Sequence, residues 1–314
     1  MANMKAVRVH NYGGPEVLQF EDALRPTPGS GELLVRVHAA SVNPIDWKVR
    51  AGYMKDYIPL PLPFIPGWDV SGVVEALGPG VTNFKKGDEV YSRPDVARDG
   101  YGGYAEYVVV KETETALKPK SIDHVHATTI PVAGVTAWRA LLDTADLKQG
   151  QRVLIHGAAG GVGSFAVQLA KWKGAYVIGT ASTGNQAFLR ELGVDEPIDY
   201  TNTRFEDEAR DVDVVLDTIG GETQTRSWMV LKKGGILVSI VGQPAVEEAA
   251  KHGLRAAFIS AHADSLLLAE LARLTDSGKL KPIVETVLPL SEARRAHELN
   301  ETRHARGKIV LKVA

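Results

Sequence analysis

The stretch Gly157-Ala158-Ala159-Gly160-Gly161-Val162-Gly163 carries the plainest chemistry in the sequence. It follows an apolar run at 152–156 and precedes a segment in which Phe165, Leu169 and Trp172 recur at the spacing of one helix face. A strand, a glycine turn and a helix N-terminus, in that order, put free backbone N–H groups and the positive end of a helix dipole on a pyrophosphate. Gly160, Gly161 and Val162 are the positions expected to cradle the phosphates. Gly160 lets the backbone come close, and Gly163 lets the helix pack tightly on the strand. The spacing departs from the dinucleotide fingerprint at Ala158, which stands where a first glycine would be, but the flanking strand and helix are what the fingerprint requires.

The end of the next strand bears on which dinucleotide is held. An NAD site usually carries Asp or Glu about 20 residues on, where it meets the ribose 2′-hydroxyl. Here that region reads Thr180-Ala181-Ser182-Thr183-Gly184-Asn185, and the first carboxylate after it is Glu191, inside the following helix. The hydroxyls of Ser182 and Thr183 can donate to a 2′-phosphate without repelling it, so NADP(H) is expected over NAD(H). The same two residues also suit the cap of the helix that follows.

The elements that must position these groups divide the chain in two. Residues 5–10, 33–38, 70–77 and 104–110 read as strands separated by Gly- and Pro-bearing breaks, and Pro59, Pro61, Pro63 and Pro66 exclude regular structure from 57–68. From about Asp123 short apolar strands at 152–156, 176–180, 212–217, 236–241 and 256–259 alternate with helical stretches such as 161–172 and 184–192. That alternation implies βαβ units and a parallel sheet. A helix at 264–277 follows, and the last strand, 308–313, has no helix of its own and is expected to return to the β-rich first part.

Composition narrows the class. At roughly 150 residues per domain, 314 residues suggest about two domains. Hydrophobic residues at 44% and charged residues at 24% are globular values. A net charge of −2, with no long run of either sign, argues against nucleic acid as a partner. The absence of cysteine removes disulfides, thiol nucleophiles and thiolate zinc sites. No stretch suits a signal peptide or a membrane span, so a cytoplasmic protein without membrane contact is expected.

Six blocks in order carry a resemblance that runs from about Met4 to Val313. They are Ser41-Val42-Asn43-Pro44-Ile45-Asp46, Pro66-Gly67-Trp68-Asp69-Val70-Ser71-Gly72-Val73-Val74, Gly87-Asp88-Glu89-Val90, Gly103-Tyr104-Ala105-Glu106-Tyr107, the glycine cradle, and Gly307-Lys308-Ile309-Val310. With them the chain resembles the zinc-independent branch of the medium-chain dehydrogenase/reductase superfamily, the quinone oxidoreductases and alkenal or enone reductases. The resemblance implies an α/β protein in which a Rossmann doubly wound parallel sheet domain, 125–261, is inserted into a mostly-β GroES-like substrate domain, 1–124 plus 262–314. It also implies a homodimer paired through the Rossmann sheets. Zinc-containing relatives use a Cys, a His in a Gly-His-Glu block and a further ligand. Here the block reads Gly67-Trp68-Asp69, and no metal is expected.

The family pattern also carries roles onto particular residues. Asn43 matches an asparagine near the nicotinamide, Lys48 a lysine near cofactor and substrate, and Thr136 a threonine beside the nicotinamide ribose. Tyr200 matches a tyrosine of the 2′-phosphate region, Gly242 a strand end facing the nicotinamide, and Arg303 an arginine that reaches the 2′-phosphate, with His304 beside it. Many relatives place a lysine for this phosphate in the helix after the second strand, where this chain offers only Arg190.

With a nicotinamide cofactor, no thiol and no zinc ligand set, the remaining chemistry is hydride transfer to an electron-poor carbon. An ordinary ketone needs its oxygen polarised as charge builds there. Quinones and α,β-unsaturated carbonyls are already activated, so modest hydrogen-bond donors suffice. The acceptor is expected in the cleft between the domains, with solvent or Tyr53 giving the proton and Trp47, Tyr53, Tyr57 and Trp68 as aromatic walls. Two alternatives stay open: an enoyl-thioester reductase, and a non-catalytic NADPH-binding sensor or scaffold of the same fold.

Overall fold

The computed structural model describes residues 2–260 and 262–314, and the domain limits expected at Met1 and Ala261 lie outside the described residues. The chain forms two compact units. One comprises Met1–Val132, Ala263–Gly278 and Pro282–Ala314, and the other Ala133–His262 and Lys279–Lys281.

The first unit begins with seven strands: β1 (Asn3–Val9), β2 (Leu18–Leu24), β3 (Glu32–Ser41), β4 (Val70–Leu77), β5 (Glu89–Ser92), β6 (Tyr107–Lys111) and β7 (Thr115–Leu117). The second unit supplies six: β8 (Arg152–Ile155), β9 (Tyr176–Ala181), β10 (Glu196–Asp199), β11 (Val212–Asp217), β12 (Leu231–Ser239) and β13 (Arg255–Phe258). The chain then returns to the first unit with β14 (Val284–Pro289) and β15 (Lys308–Lys312).

In the second unit all six strands are parallel, in the order β10-β9-β8-β11-β12-β13. Counted within the unit this is 3-2-1-4-5-6, the doubly wound Rossmann order, whose direction reverses between β8 and β11. Val153, Leu154 and Ile155 of β8 and every residue of β11 are buried, as central strands covered on both faces must be. The helix Gly161–Trp172 lays Phe165, Ala166, Leu169 and Ala170 onto β8 and β9. Strand β10 is absent from the sequence expectation because it is four residues long and contains Pro197. A proline is tolerated there because β10 is an edge strand paired only to β9.

In the first unit the long strand β3 organises the sheet. One edge pairs antiparallel with β4, while the other is shared between β6 at Glu32–Arg36 and β15 at Ala39–Ser41. Leu33, Val35, Val37, Val70, Val74, Val90, Val108 and Val110 fill the core behind it. The last strand thus joins the β-rich part of the chain, carrying Lys308 to Asn43, just past the end of β3. Tyr57 is exposed, but Trp68 is 2% exposed and packs with Val9, Val49, Leu60, Phe64 and Val96. Trp68 is therefore a core residue and not a pocket wall, its indole being needed to fill a region where the prolines prevent regular packing.

Candidate active site

The glycine cradle follows β8 at the switch point. Gly157 takes a φ of +61°, which favours glycine, and the turn is closed by Ala158 N donating to Thr180 O at 3.0 Å and Gly160 N to Gly157 O at 3.0 Å. A Cβ at Gly163 would stand 2.2 Å from Gly157 O, so only glycine lets this helix approach the turn. Ala158 in place of the fingerprint glycine is accommodated by the neighbouring strand: a Cβ on Gly179 of β9 would come within 3.0 Å of the Ala158 methyl. The first N–H groups of the helix Gly161–Trp172, at Gly161 and Val162, have no carbonyl one turn earlier within the helix and are disposed to hold an anion. This chain's cradle therefore fits a dinucleotide pyrophosphate.

Two buried side chains hold the strand ends around the cradle. His156 accepts at Nδ1 from Thr180 Oγ1 (3.2 Å) and donates from Nε2 to Ser227 Oγ (2.9 Å), whose own proton goes to Thr223 O at 2.6 Å. Burial pushes the imidazole down to about 4, so it stays neutral in this role. Asp217, at the end of β11, accepts from Ile219 N, Gly220 N, Gln224 Nε2 and Ser239 Oγ at 2.7–3.0 Å. Gly242 lies just beyond β12, and a side chain there would meet open space. Thr136 is half-buried on the helix Ile130–Trp138.

At the carboxyl end of β9, Ser182 and Thr183 lie where the sequence puts the adenosine ribose, and the exposed Tyr200 donates its N–H to Ala181 O at 3.3 Å. Thr183 Oγ1 donates to Asp199 Oδ2 at 2.6 Å. Asp199 is the last residue of β10 and sits opposite Ala181. Reading along the chain from β9 misses it, because it becomes a neighbour only through strand pairing.

The first unit gathers a different set. Asn43 precedes the helix Pro44–Arg50 and exchanges a capping box with Asp46, whose Oδ2 accepts the Asn43 N–H at 2.7 Å. Its side-chain Nδ2 donates to Asp69 Oδ2 at 2.7 Å and its Oδ1 accepts from Lys308 Nζ. Asp69 also accepts from Ser41 Oγ (2.6 Å), Val132 N (2.7 Å) and Lys308 Nζ (3.3 Å). Ser41, Asn43, Asp46, Asp69 and Lys308 are all buried. Burial lowers the Lys308 ammonium and raises the Asp46 carboxyl to about 7, against the pull of the Asn43 N–H and of Lys308.

One turn into that helix, Trp47 brings three of the expected residues together. Tyr53 meets its ring edge-on at 6.2 Å, Lys48 Nζ lies 5.8 Å from the ring and the Arg303 guanidinium 5.9 Å. Lys48 is half-buried, and burial, with Arg303 adding to it, lowers its ammonium. Tyr53 is 72% exposed. Asp46, Asp69 and Lys308 escaped the sequence reading. The Asn-Pro-x-Asp capping spacing is a legible signal for Asp46, whereas nothing local signals that a lysine opening a strand is buried.

Among the described residues no group of three or more His, Cys, Asp or Glu could hold a metal ion, and no helix is long and apolar enough to cross a membrane.

Residues 29–120 match the family described as alcohol dehydrogenase GroES-like domain, and residues 192–311 the family described as zinc-binding dehydrogenase. The chain is 38% identical to the NADPH-dependent alkenal/one oxidoreductase of Arabidopsis thaliana chloroplasts, covering 98% of this chain and 79% of that protein. It is 33% identical to the quinone oxidoreductase of Sus scrofa, over 98% and 97% of the two chains. The solved quinone oxidoreductase of Coxiella burnetii superposes with a TM-score of 0.93 at 39% identity, covering both chains entirely.

Proposed function

We propose that this chain, which belongs to the quinone oxidoreductase and alkenal/one oxidoreductase family of medium-chain dehydrogenase/reductases and is therefore an oxidoreductase, reduces a quinone or an α,β-unsaturated carbonyl without a metal, with NADPH as donor. The observation that carries the reading is the glycine cradle at the switch point of the 3-2-1-4-5-6 sheet. When bound, the dihydronicotinamide supplies the hydride.

The chain's own residues divide the remaining work. Gly160, Gly161 and Val162 hold the pyrophosphate with their backbone. Ser182, Thr183 and Tyr200 serve the adenosine 2′ end, and Thr136, Gly242, Lys48 and Asn43 the nicotinamide end, with Arg303 standing beside Lys48 at the Trp47 ring and not assigned to the 2′-phosphate. Asn43 suits a positioning task because both ends of its amide are already fixed, by Lys308 and Asp69. Charge developing on the acceptor oxygen is spread by conjugation, so weak donors are enough, and positioning provides most of the acceleration. Tyr53, exposed on the loop after the helix Pro44–Arg50, lines the acceptor side, with solvent or its phenol giving the proton. Strand β13 has no strand partner on its outer edge among the described residues, which supports a homodimer built on that edge.

The test is oxidation of NADPH and of NADH against a panel of quinones, enals, enones and a saturated ketone. Turnover with the activated acceptors but not the ketone is expected. Binding of the dinucleotide with no turnover on any acceptor would overturn the enzymatic reading and favour a binding module.

A further inference from the structure

We propose that Asp199 sets the balance between the two nicotinamide dinucleotides, engaging the Thr183 hydroxyl and opposing a 2′-phosphate so that the site accepts NADH nearly as well as NADPH. The inference rests on the dinucleotide site proposed above and narrows its preference for NADPH.

The pairing of β10 with β9 sets Asp199 across from Ala181, at the sheet edge where Ser182 and Thr183 emerge. Its two oxygens collect four donors: Thr201 N at 3.0 Å and Thr201 Oγ1 at 2.6 Å on one, Thr183 Oγ1 at 2.6 Å and Asn202 Nδ2 at 2.7 Å on the other. A carboxylate accepts at about four positions, so Asp199 is saturated. Thr183 has a single proton, and it is committed. A 2′-phosphate brings only acceptor oxygens and a second negative charge, and would have to take that proton from Asp199. A ribose 2′-hydroxyl brings a donor of its own, which Thr183 Oγ1 can accept on its second lone pair, beside the long contact from Asn202 Nδ2 at 3.4 Å and with Thr201 Oγ1 at 2.9 Å. The hydrogen bonds from Thr183 and Thr201 hold the Asp199 carboxyl at about 2, so it carries its charge at any working pH.

The nearby groups do not reverse this balance. Gln186, in the first turn of the helix Gln186–Leu192, folds its Nε2 back onto the carbonyls of Ala181, Ile198 and Ser182 at 3.0–3.4 Å, so its amide donors face the strand ends. Arg204, the next cation along the chain after Asp199, is paired with Glu206 at 2.8 Å.

The experiment is calorimetric titration of the full-length protein, and of the Asp199→Asn and Asp199→Ser variants, with NADPH, NADH, adenosine 2′,5′-bisphosphate and AMP. Circular dichroism confirms that each variant is folded. For the wild type we expect NADPH and NADH dissociation constants within about tenfold of each other. In both variants the preference for the 2′-phosphorylated partner of each pair should rise by about tenfold, as removal of one unit charge near a dianion in a watery site predicts. A wild-type preference for NADPH above about a hundredfold overturns the proposal, whether or not the variants fold. Folded variants that bind both dinucleotides with an unchanged ratio overturn it too. If none of the four ligands binds the wild type, the dinucleotide site itself is wrong and this inference falls with it, an outcome distinct from an unchanged ratio.

Discussion

Asp69 in the first unit and Asp199 in the second are hydrogen-bonded to the same extent and serve different ends. Each carboxylate accepts four hydrogen bonds. Asp69 is wholly buried and its partners include a buried ammonium and a buried amide, so each member of that cluster stands in for the water the others have lost. Asp199 stands at a solvent-facing strand end among hydroxyls. Removing a partner from the first leaves an uncompensated charge in the interior, whereas removing one from the second lets water in. A polar cluster therefore holds the fold where it is buried and tunes a ligand where it is wet.

The strongest test of that difference is Lys308→Met. It leaves Asp69 buried without its cation and should cost about 3–5 kcal/mol, read as a fall in the urea midpoint. Pairing it with Asp69→Asn should restore part of the loss, because the uncompensated charge is then gone. Asp199→Asn should lower the midpoint far less, because water can replace the carboxylate's partners at an exposed strand end. Equal destabilisation by Lys308→Met and Asp199→Asn would erase the distinction.

Two buried groups, one in each unit, respond to pH with opposite sign. In the second unit, His156 is depressed from 6.5 to about 4, so between those values the unfolded chain holds more protons than the folded one. Its contribution therefore makes stability fall as pH drops from 6.5 towards 4. In the first, Asp46 is raised from 3.8 to about 7, so the folded chain holds more protons across that window and stability falls as pH rises through it. At 1.36 kcal/mol per pKa unit the limits are on the order of 3 kcal/mol for His156 and 4 kcal/mol for Asp46. Urea midpoints from pH 4 to 8 should show His156→Gln flattening the acid side and Asp46→Asn flattening the side approaching 7. His297, in the first unit and lowered to about 3 by burial, adds to the acid side and should leave a residual slope in His156→Gln. Variants that change the slope with the same sign would refute the assignment.

Gly163→Ala comes next in size. Its methyl would lie 2.2 Å from Gly157 O, and relieving that contact by moving the helix should cost about 1–3 kcal/mol, appearing chiefly as weaker dinucleotide binding. Gly184→Ala, where a Cβ meets no protein atom within 4 Å, is the contrasting case and should leave the urea midpoint close to that of the wild type.

That pair also shows what the sequence could reveal. The cradle, the helix Gly161–Trp172 and strand β11 were legible because tight turns and buried strands impose residue types locally: glycine where a Cβ would collide, unbroken apolar runs where both faces are covered. Lys48, Tyr53 and Arg303 could be named as residues, but their gathering around Trp47 depends on tertiary packing. Asp199 and Lys308 were hidden for a related reason. Each acquires its environment from strand pairing, Asp199 opposite Ala181 and Lys308 beside Val284 in a strand that also joins β3, and such partners leave no trace in the residues alongside them. Trp68 was misjudged because an aromatic in a proline-rich loop has the same composition whether it lines a pocket or fills the core.

The smallest effect separates two phenols of the first unit. Tyr104 is buried, and burial together with the nearby Asp46 and Asp69 carboxylates pushes its hydroxyl far above the ordinary range, so it holds its proton. Tyr53 is open to solvent and touches Trp47 only with its ring. If Tyr53 acts as a wall, Tyr53→Phe keeps the ring and the edge-on contact, and turnover with an enone should stay within about twofold of wild type, while Tyr53→Ala should raise KM by removing the surface. A proton donor behaves differently: Tyr53→Phe would lower kcat by the 10²–10⁴ typical of lost general acid catalysis and would increase the solvent isotope effect as water takes over the step. A large fall in kcat with KM unchanged would therefore transfer the proton from solvent to Tyr53, and the exposed phenol would join the chemistry rather than border it.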